Sequence, residues 1–568
     1  MAKNKTGFIL FVLTSIIIAI VAIYLRSFLI IKPYKGSGNI LIIEDKIFGN
    51  IGYGDNNNHH NPFIFKKERV LVSSNIIKQE IDPYLHWDEK SEKVTLTTKD
   101  KTIRLKTDSL TALVNSKPVE INIPATKVSG HLYIPVEFLA DFFGIQIKKF
   151  PEVNRVVIDF KKEKRKIGYP LKPVGLKISP SVLSPVYDFA EKGETLYIYG
   201  VMENWYRVRT ADGIFGYVKK DALEVKEMTI STTPTDANYE KLWQPTKGKI
   251  NLVWNYIHQK TPDMTGTPKI KGLDVISPTW FSLADENGTI DNKADKNYVK
   301  WAHDNGYKVW ALFDNGFNPE ITSIVLNDTE KREKIIKQLL VYADLYEFDG
   351  INIDFENVFY KDRDMLTQFV RELTPILHEQ NLVVSIDVTV KSQSLNWSLC
   401  YDRKSLGQIV DYIALMAYDE HWATSPVSGP VASIGWVEKG IQSLLEEVES
   451  TKVLLGLPFY TREWEETPAN DKSNLKVTSK ALSMSDAKKK IKENKADMVW
   501  SSDSGTYFAV YKKGDKTYKI WLEDEKSIEL KASLVEKYNL AGTAAWRLGL
   551  EEKEVWDVLY KKLKPEKL

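Results

Sequence analysis

The stretch "EFDGINIDFENV", Glu347 to Val358, decides how the C-terminal half of this chain is read. Ile351, Ile353 and Phe355 stand at every second position, with Asn352, Asp354 and Glu356 between them. That is the period of a β-strand, whose successive side chains point to opposite faces. One face is apolar; the other carries an amide and two carboxylates. Buried carboxylates are costly unless paired, hydrogen-bonded or protonated, so three polar groups in step call for a use.

Seven similar runs flank this one: "INLVWNYI", "GLDVISPTWFSL", "YKVWALFDN", "LVVSIDVTV", "DYIALMAYD", "KVLLGLPFY" and "AGTAAWRLG". Their mostly unbroken apolar character is that of parallel strands covered on both faces. Eight strands with helical stretches between them predict a (β/α)8 TIM barrel over residues 246–568. In such a barrel Ile351, Ile353 and Phe355 face the helices. Asn352, Asp354 and Glu356 face inward and climb toward the C-terminal mouth, where active sites of this fold lie. The interval before the last strand is too long for one repeat. It holds "TYFAVYKKGDKTYKIWLED", which reads as an antiparallel hairpin, so an α+β insertion is expected over about 467–535.

The pattern Asp349-Gly350, then Asp354 and Glu356, resembles the motif of glycoside hydrolase family 18, the chitinase-like family. "LMAYDEHW", with Met416, Tyr418 and Asp419, is similar to the family's strand-six motif, and "AAWRLGLE", with Trp546, to its last strand. "YKIWLEDEKSIELKASLV" resembles the spore-cortex-lytic, peptidoglycan N-acetylglucosaminidase branch. The resemblance implies catalytic roles for Glu356, Asp354 and Tyr418. Glu356 would be the general acid, Asp354 would orient the substrate's N-acetyl group, and Tyr418 would donate to its oxygen. It implies substrate binding by Asn352, Met416, Asp419 and Trp546, the last as a floor under the sugar. No cofactor and no metal are expected.

Two departures stand out. Asn352 occupies a position that is usually Asp; it cannot take up a proton, though its amide could donate to Asp354 and hold it ionised. "LFDNGF", Leu312 to Phe317, replaces the usual Ser-x-Gly-Gly after strand three. Trp280, Trp310 and Trp464 lie near predicted strand ends as candidate subsite walls.

The N-terminal half is assembled from smaller pieces, as 568 residues lead one to expect. Residues 1–31 read as a cytoplasmic tip and transmembrane anchor: Lys3 and Lys5 precede the uncharged run Gly7–Leu25, which Arg26 closes. As a helix that run spans roughly 28 Å, close to a bilayer core. A cleaved signal peptide is the alternative and would make the protein secreted. A linker is expected over 32–64; its His59 and His60 lack a third ligand at metal-site spacing.

Over 65–162 a strand–helix–strands pattern occurs twice, "VLVS" at Ser73 answering "YIPV" at Val136. Through "LYIPVEFLADFFG" this segment resembles the copper amine oxidase N-terminal-like domain, an α+β stalk module, with no ligand cluster for copper. Residues 163–228 carry short runs broken by turns and resemble bacterial SH3-like domains, through Gly193, Trp205, Tyr206, Gly213, Gly216 and Tyr217. A second linker is expected over 229–245.

A net charge of +2 gives no case for nucleic acid, and the single cysteine, Cys400, rules out an intramolecular disulfide. The expected partners are the membrane and a glycan containing N-acetylglucosamine. Peptidoglycan is preferred, with cleavage of β-1,4 bonds beside N-acetylglucosamine. The alternatives are chitin or chito-oligosaccharides, or a non-catalytic lectin-like protein on the same barrel.

Overall fold

A computed structural model describes residues 11–18, 38–49, 61–161, 164–228, 244–468 and 475–565. Eight parallel strands close a barrel: β1 (Ile250–Asn255), β2 (Val275–Leu283), β3 (Lys308–Asp314), β4 (Gly350–Asp354), β5 (Val383–Thr389), β6 (Tyr412–Met416), β7 (Val453–Pro458) and β8 (Gly542–Trp546). Closure is made by β1, which pairs in parallel with both β2 and β8.

Alternation along β4 sorts two cores. Ile351, Ile353 and Phe355 join the apolar shell between strands and helices, with Leu339 and Phe369. Inside the barrel lie Trp254, Leu312, Tyr412 and Ala544, the layer in which Asn352 is buried. Gly350 is required at the strand's start, because a Cβ there would sit 2.7 Å from the Val383 carbonyl oxygen. Asp349 is structural: its carboxylate accepts from the Val309 N–H (2.9 Å) and from Lys308 Nζ (2.6 Å) at the foot of β3.

The excursion after β7 is larger than a hairpin and begins earlier than about 467. Five antiparallel strands, Tyr460–Pro468, Leu475–Ser483, Met498–Ser501, Thr506–Lys513 and Lys516–Leu522, carry one helix, Met484–Glu493. The apolar run of β7 continues through Phe459 into the first of them, which hides the boundary in the sequence. A helix from Glu525 to Lys537 then returns the chain to β8, started by a capping box between Asp524 and Ser527.

Before the barrel come two further units. In the first, the duplicated strands Arg69–Ser73 and His131–Pro135 pair antiparallel, Val72 opposite Ile134. Part of the expected linker belongs to this unit: Ile40–Ile43 lies parallel to Arg155–Phe160, because its apolar side chains Leu41 and Ile43 complete the core. The second unit is a seven-stranded antiparallel sheet within 165–228, packed around Leu176, Leu196, Val208 and Val218.

The apolar run Gly7–Leu25 falls mostly outside the described residues, as do His59 and His60. Among the described residues no helix is long and apolar enough to cross a membrane.

Candidate active site

The polar face of β4 opens onto the C-terminal mouth. Asn352 lies deepest and all of its hydrogen-bonding groups are engaged. Its Oδ1 accepts from Trp254 Nε1 (2.7 Å) and Ser277 Oγ (3.3 Å). Its Nδ2 donates to Asp387 Oδ1 (2.7 Å) and Ser385 Oγ (3.1 Å). The sequence-based expectation that this amide holds Asp354 is therefore corrected: it serves β5 instead, where Asp387 sits in the same inward pattern.

Asp354 ends β4. Its Oδ1 is buried and has no hydrogen-bond partner. Burial, reinforced by the charge of Asp314, pushes its pKa up to about 7. Asp314 is its cross-strand partner at the end of β3. Glu356 lies two residues beyond the strand, and its pKa is driven well above the ordinary value by burial and then by Asp354, Asp419 and Asp314. A carboxyl so placed holds its proton more tightly than an ordinary glutamic acid and can donate it.

Glu356 is held by its backbone. Asn315, from the "LFDNGF" segment, accepts from the Glu356 N–H (3.0 Å) and donates to the Glu356 carbonyl (2.8 Å). The same amide donates to Thr322 Oγ1 (2.9 Å) and is buried. Tyr401 donates to the Phe355 carbonyl (2.9 Å). The residues that replace Ser-x-Gly-Gly thus build the floor under the acid.

Tyr418 and Asp419 follow β6. Burial raises the Tyr418 pKa well above its ordinary value, helped by Asp387, Asp354, Tyr460 and Glu356. It therefore stays a neutral donor facing the carboxylates. Asp419 accepts from Tyr460 OH (2.6 Å) and from Arg462 Nη2 (3.1 Å), both from the excursion's first strand. Met416 ends β6 in register with Thr389. Trp546 ends β8, its ring 6.2 Å from Trp254 and 6.4 Å from the half-exposed Tyr256. Trp254 in turn meets Tyr418 edge-on at 6.5 Å. The candidates from strands four, six and eight therefore share one mouth.

Trp280, Trp310 and Trp464 are fully buried and wall no cleft. Trp310 stacks on Tyr412 inside the barrel (5.4 Å), and Trp464 donates to the Gly429 carbonyl (2.8 Å). Sequence reasoning missed Trp254, Asp314, Asn315, Asp387 and Tyr460. Among the described residues no group of three or more metal-ligating side chains could hold an ion.

A closed parallel barrel with carboxyls of raised pKa crowded at the end of strand four has the arrangement of a TIM-barrel acid–base enzyme. The chain belongs to the Glycosyl hydrolases family 18, whose profile matches residues 249–551. It is therefore a glycoside hydrolase. The Copper amine oxidase N-terminal domain matches residues 55–158.

An uncharacterized glycosylase of Bacillus subtilis, YvbX, is 29% identical over 302 residues, which is 51% of this chain and 84% of the relative. A cortical fragment-lytic enzyme of the same organism is 28% identical over 254 residues, 44% of this chain and 57% of the relative. The chain thus spans little more than half of that second relative. Among solved structures, the C-terminal domain of a chitinase candidate from Desulfitobacterium hafniense superposes with a TM-score of 0.50 at 26% identity, covering 56% of this chain and 99% of that one.

Proposed function

We propose that this enzyme hydrolyses β-1,4 bonds beside N-acetylglucosamine in cell-wall peptidoglycan, by a retaining, substrate-assisted route. Glu356 donates its proton to the glycosidic oxygen as the bond to the anomeric carbon breaks. The substrate's own acetamido oxygen attacks that carbon, as in other family members that lack a nucleophilic carboxylate. Asp354, ionised at that moment, holds the acetamido N–H and offsets the positive ring. Tyr418 donates to the acetamido oxygen. Glu356, now a carboxylate, takes a proton from the water that opens the ring. Trp546 offers its face to the sugar, and Asn352, Met416 and Asp419 shape the subsite around it. The observation that carries this reading is a carboxyl with a strongly raised pKa beside Asp354 at the barrel mouth.

The likeness to a cortical fragment-lytic enzyme supports peptidoglycan as the substrate. The apolar run Gly7–Leu25 supports a single-pass anchor with the domains outside, and the turn-rich 163–228 unit an SH3-like module that keeps the enzyme at the wall. The likeness to a chitinase candidate supports a second reading, chito-oligosaccharide hydrolysis.

Mass spectrometry of products from purified peptidoglycan and from chitin oligomers separates the two. Glu356→Gln should lower turnover by roughly 10²-fold or more while sugar binding persists. Unchanged turnover in that variant would remove the assignment.

A further inference from the structure

We infer that Asp314 and Asp354 form a proton-sharing pair, with Asp314 holding the proton whenever Asp354 must act as a carboxylate. The inference rests on the reading of Asp354 given above and assigns Asp314 a role that sequence comparison alone does not suggest.

Four observations support it. First, the strands place the two carboxyls side by side. β3 and β4 are parallel and in register, with Asp314 opposite Asp354. In-register neighbours project to the same face, and adjacent strands lie about 4.8 Å apart. Leu312 and Asn352, one step deeper in the same register, both lie inside the barrel, so the inward face is fixed. Second, Asp354 Oδ1 is buried with no partner, an acceptor waiting for a donor. Third, Asn352 is not that donor, because both of its N–H groups go to β5. Fourth, Asp314 is oriented by one oxygen alone. Oδ1 accepts from Ser282 Oγ (2.5 Å) and the Gly316 N–H (2.8 Å), and neither bond uses Oδ2.

Two carboxylates this close in a half-buried site do not both ionise readily; one proton between them removes the repulsion and satisfies the orphan oxygen. The charged and titratable groups facing the pair are Glu356 beyond β4, Asp387 on β5, Tyr401 beyond β5, Tyr418 beyond β6, and Asp291 and Lys293 after β2. Lys293 is the single cation of that set, against three further acidic groups and two neutral phenols.

The step is a simple exchange. When an acetamido N–H reaches Asp354, the O–H bond of Asp354 breaks and an O–H bond forms on Asp314. No electrons leave the pair and its net charge is unchanged. Asp354 is left an acceptor for the N–H, and Asp314 now donates to its buried oxygen. After the ring opens the proton returns. Asp314 is a positioning residue in this scheme, acting through Asp354.

The test is infrared titration of the full chain labelled with 13C-aspartate. An aspartic carbonyl band should titrate near neutral pH in the wild type. In Asp314→Asn, which keeps the shape and the Ser282 contact, that midpoint should move to lower pH by about one unit, a tenfold change in the proton equilibrium. In Asp354→Asn the band should vanish. The Asp387 band provides a second aspartic signal that Asp314→Asn leaves in place. A band indifferent to Asp314→Asn, or its absence from labelled wild-type protein, overturns the pair. The readout needs no turnover. A pair seen by infrared in a protein inert toward every glycan would remove the function and keep the pair. Turnover abolished by Glu356→Gln with a band indifferent to Asp314→Asn would do the reverse.

Discussion

Asp354 and Glu356 stand two residues apart and are raised by the same cause, removal from water, yet their surroundings give them different tasks. Glu356 has three acidic neighbours and no cation, so its proton stays on. Asp354 titrates near 7, where it can be ionised when the substrate arrives. This has a consequence for stability. A carboxyl whose folded pKa lies above its unfolded value near 4 binds its proton more tightly in the native state. Its effect on stability is neutral at low pH and becomes unfavourable as pH rises from about 4 to about 7. Asp354→Asn removes that burden. The variant should gain on the wild type by up to a few kcal/mol between pH 5 and pH 8. Thermal unfolding at the two pH values measures this; an equal gap at both would mean that Asp354 titrates normally. Activity should move the other way. Asp354→Asn should cost nearly as much turnover as Glu356→Gln, because the developing positive charge loses its partner in a water-poor site.

At the scale of elements, the end of β3 governs the end of β4. The strand stops at Asp354, and beyond it the Asn315 amide pairs with both backbone polar groups of Glu356. Asn315→Ala leaves a backbone N–H and a carbonyl unpaired, each worth about 1–3 kcal/mol. We expect kcat to fall by roughly tenfold or more with little change in KM, since the acid loses its aim and the sugar keeps its contacts. Steady-state kinetics on the preferred glycan decide this; a rise in KM alone would place Asn315 in binding instead. The period of two made Asn352, Asp354 and Glu356 legible in the sequence, because alternation is a local property of a strand. The same alternation stands on β5, where Ser385 and Asp387 alternate with Val384, Ile386 and Val388, but one serine and one aspartate inside an apolar run are a weaker signal. Asn315 offered no such signal. Its role depends on how far the loop after β3 reaches across a neighbouring strand. Tyr460 and Arg462 were hidden for a related reason: they belong to an excursion that packs back over Asp419. Trp280, Trp310 and Trp464 show the opposite error, since nearness to a strand end says nothing about which side of the strand a ring takes.

At the scale of the whole molecule, the N-terminal α+β unit is bolted to the helices that flank β4. Glu372, on the helix Arg363–His378, is fully buried between Arg332 of the preceding helix and Arg104 of the N-terminal unit. Arg332 Nη2 donates to it at 2.8 Å and Arg104 Nη2 at 3.0 Å, while Thr102 Oγ1 donates to its backbone carbonyl at 2.9 Å. Burial alone would raise the Glu372 pKa, but the two guanidinium groups outweigh it and hold it down at about 2. Residues 104, 332 and 372 are too far apart in sequence for any local pattern to have announced the contact. The module expected as a stalk thus keeps its own core and is tied to the barrel's helices through Thr102 and Arg104. The two ends of the cluster should respond unequally. Glu372→Gln leaves two buried guanidinium groups without a counter-charge and should cost about 3–5 kcal/mol. Arg104→Met leaves the Glu372–Arg332 pair neutral and fills the space with an apolar chain, so it should cost far less. The stabilising effect of Glu372 is present above its unfolded pKa near 4 and is lost as pH falls toward 2, because its folded pKa is the lower of the two. Denaturant unfolding at pH 7 and pH 3, followed by tryptophan fluorescence, reads all of this. The penalty of Glu372→Gln should shrink at the lower pH; equal penalties for the two variants at pH 7 would show that Glu372 does not bind the unit to the barrel through its charge.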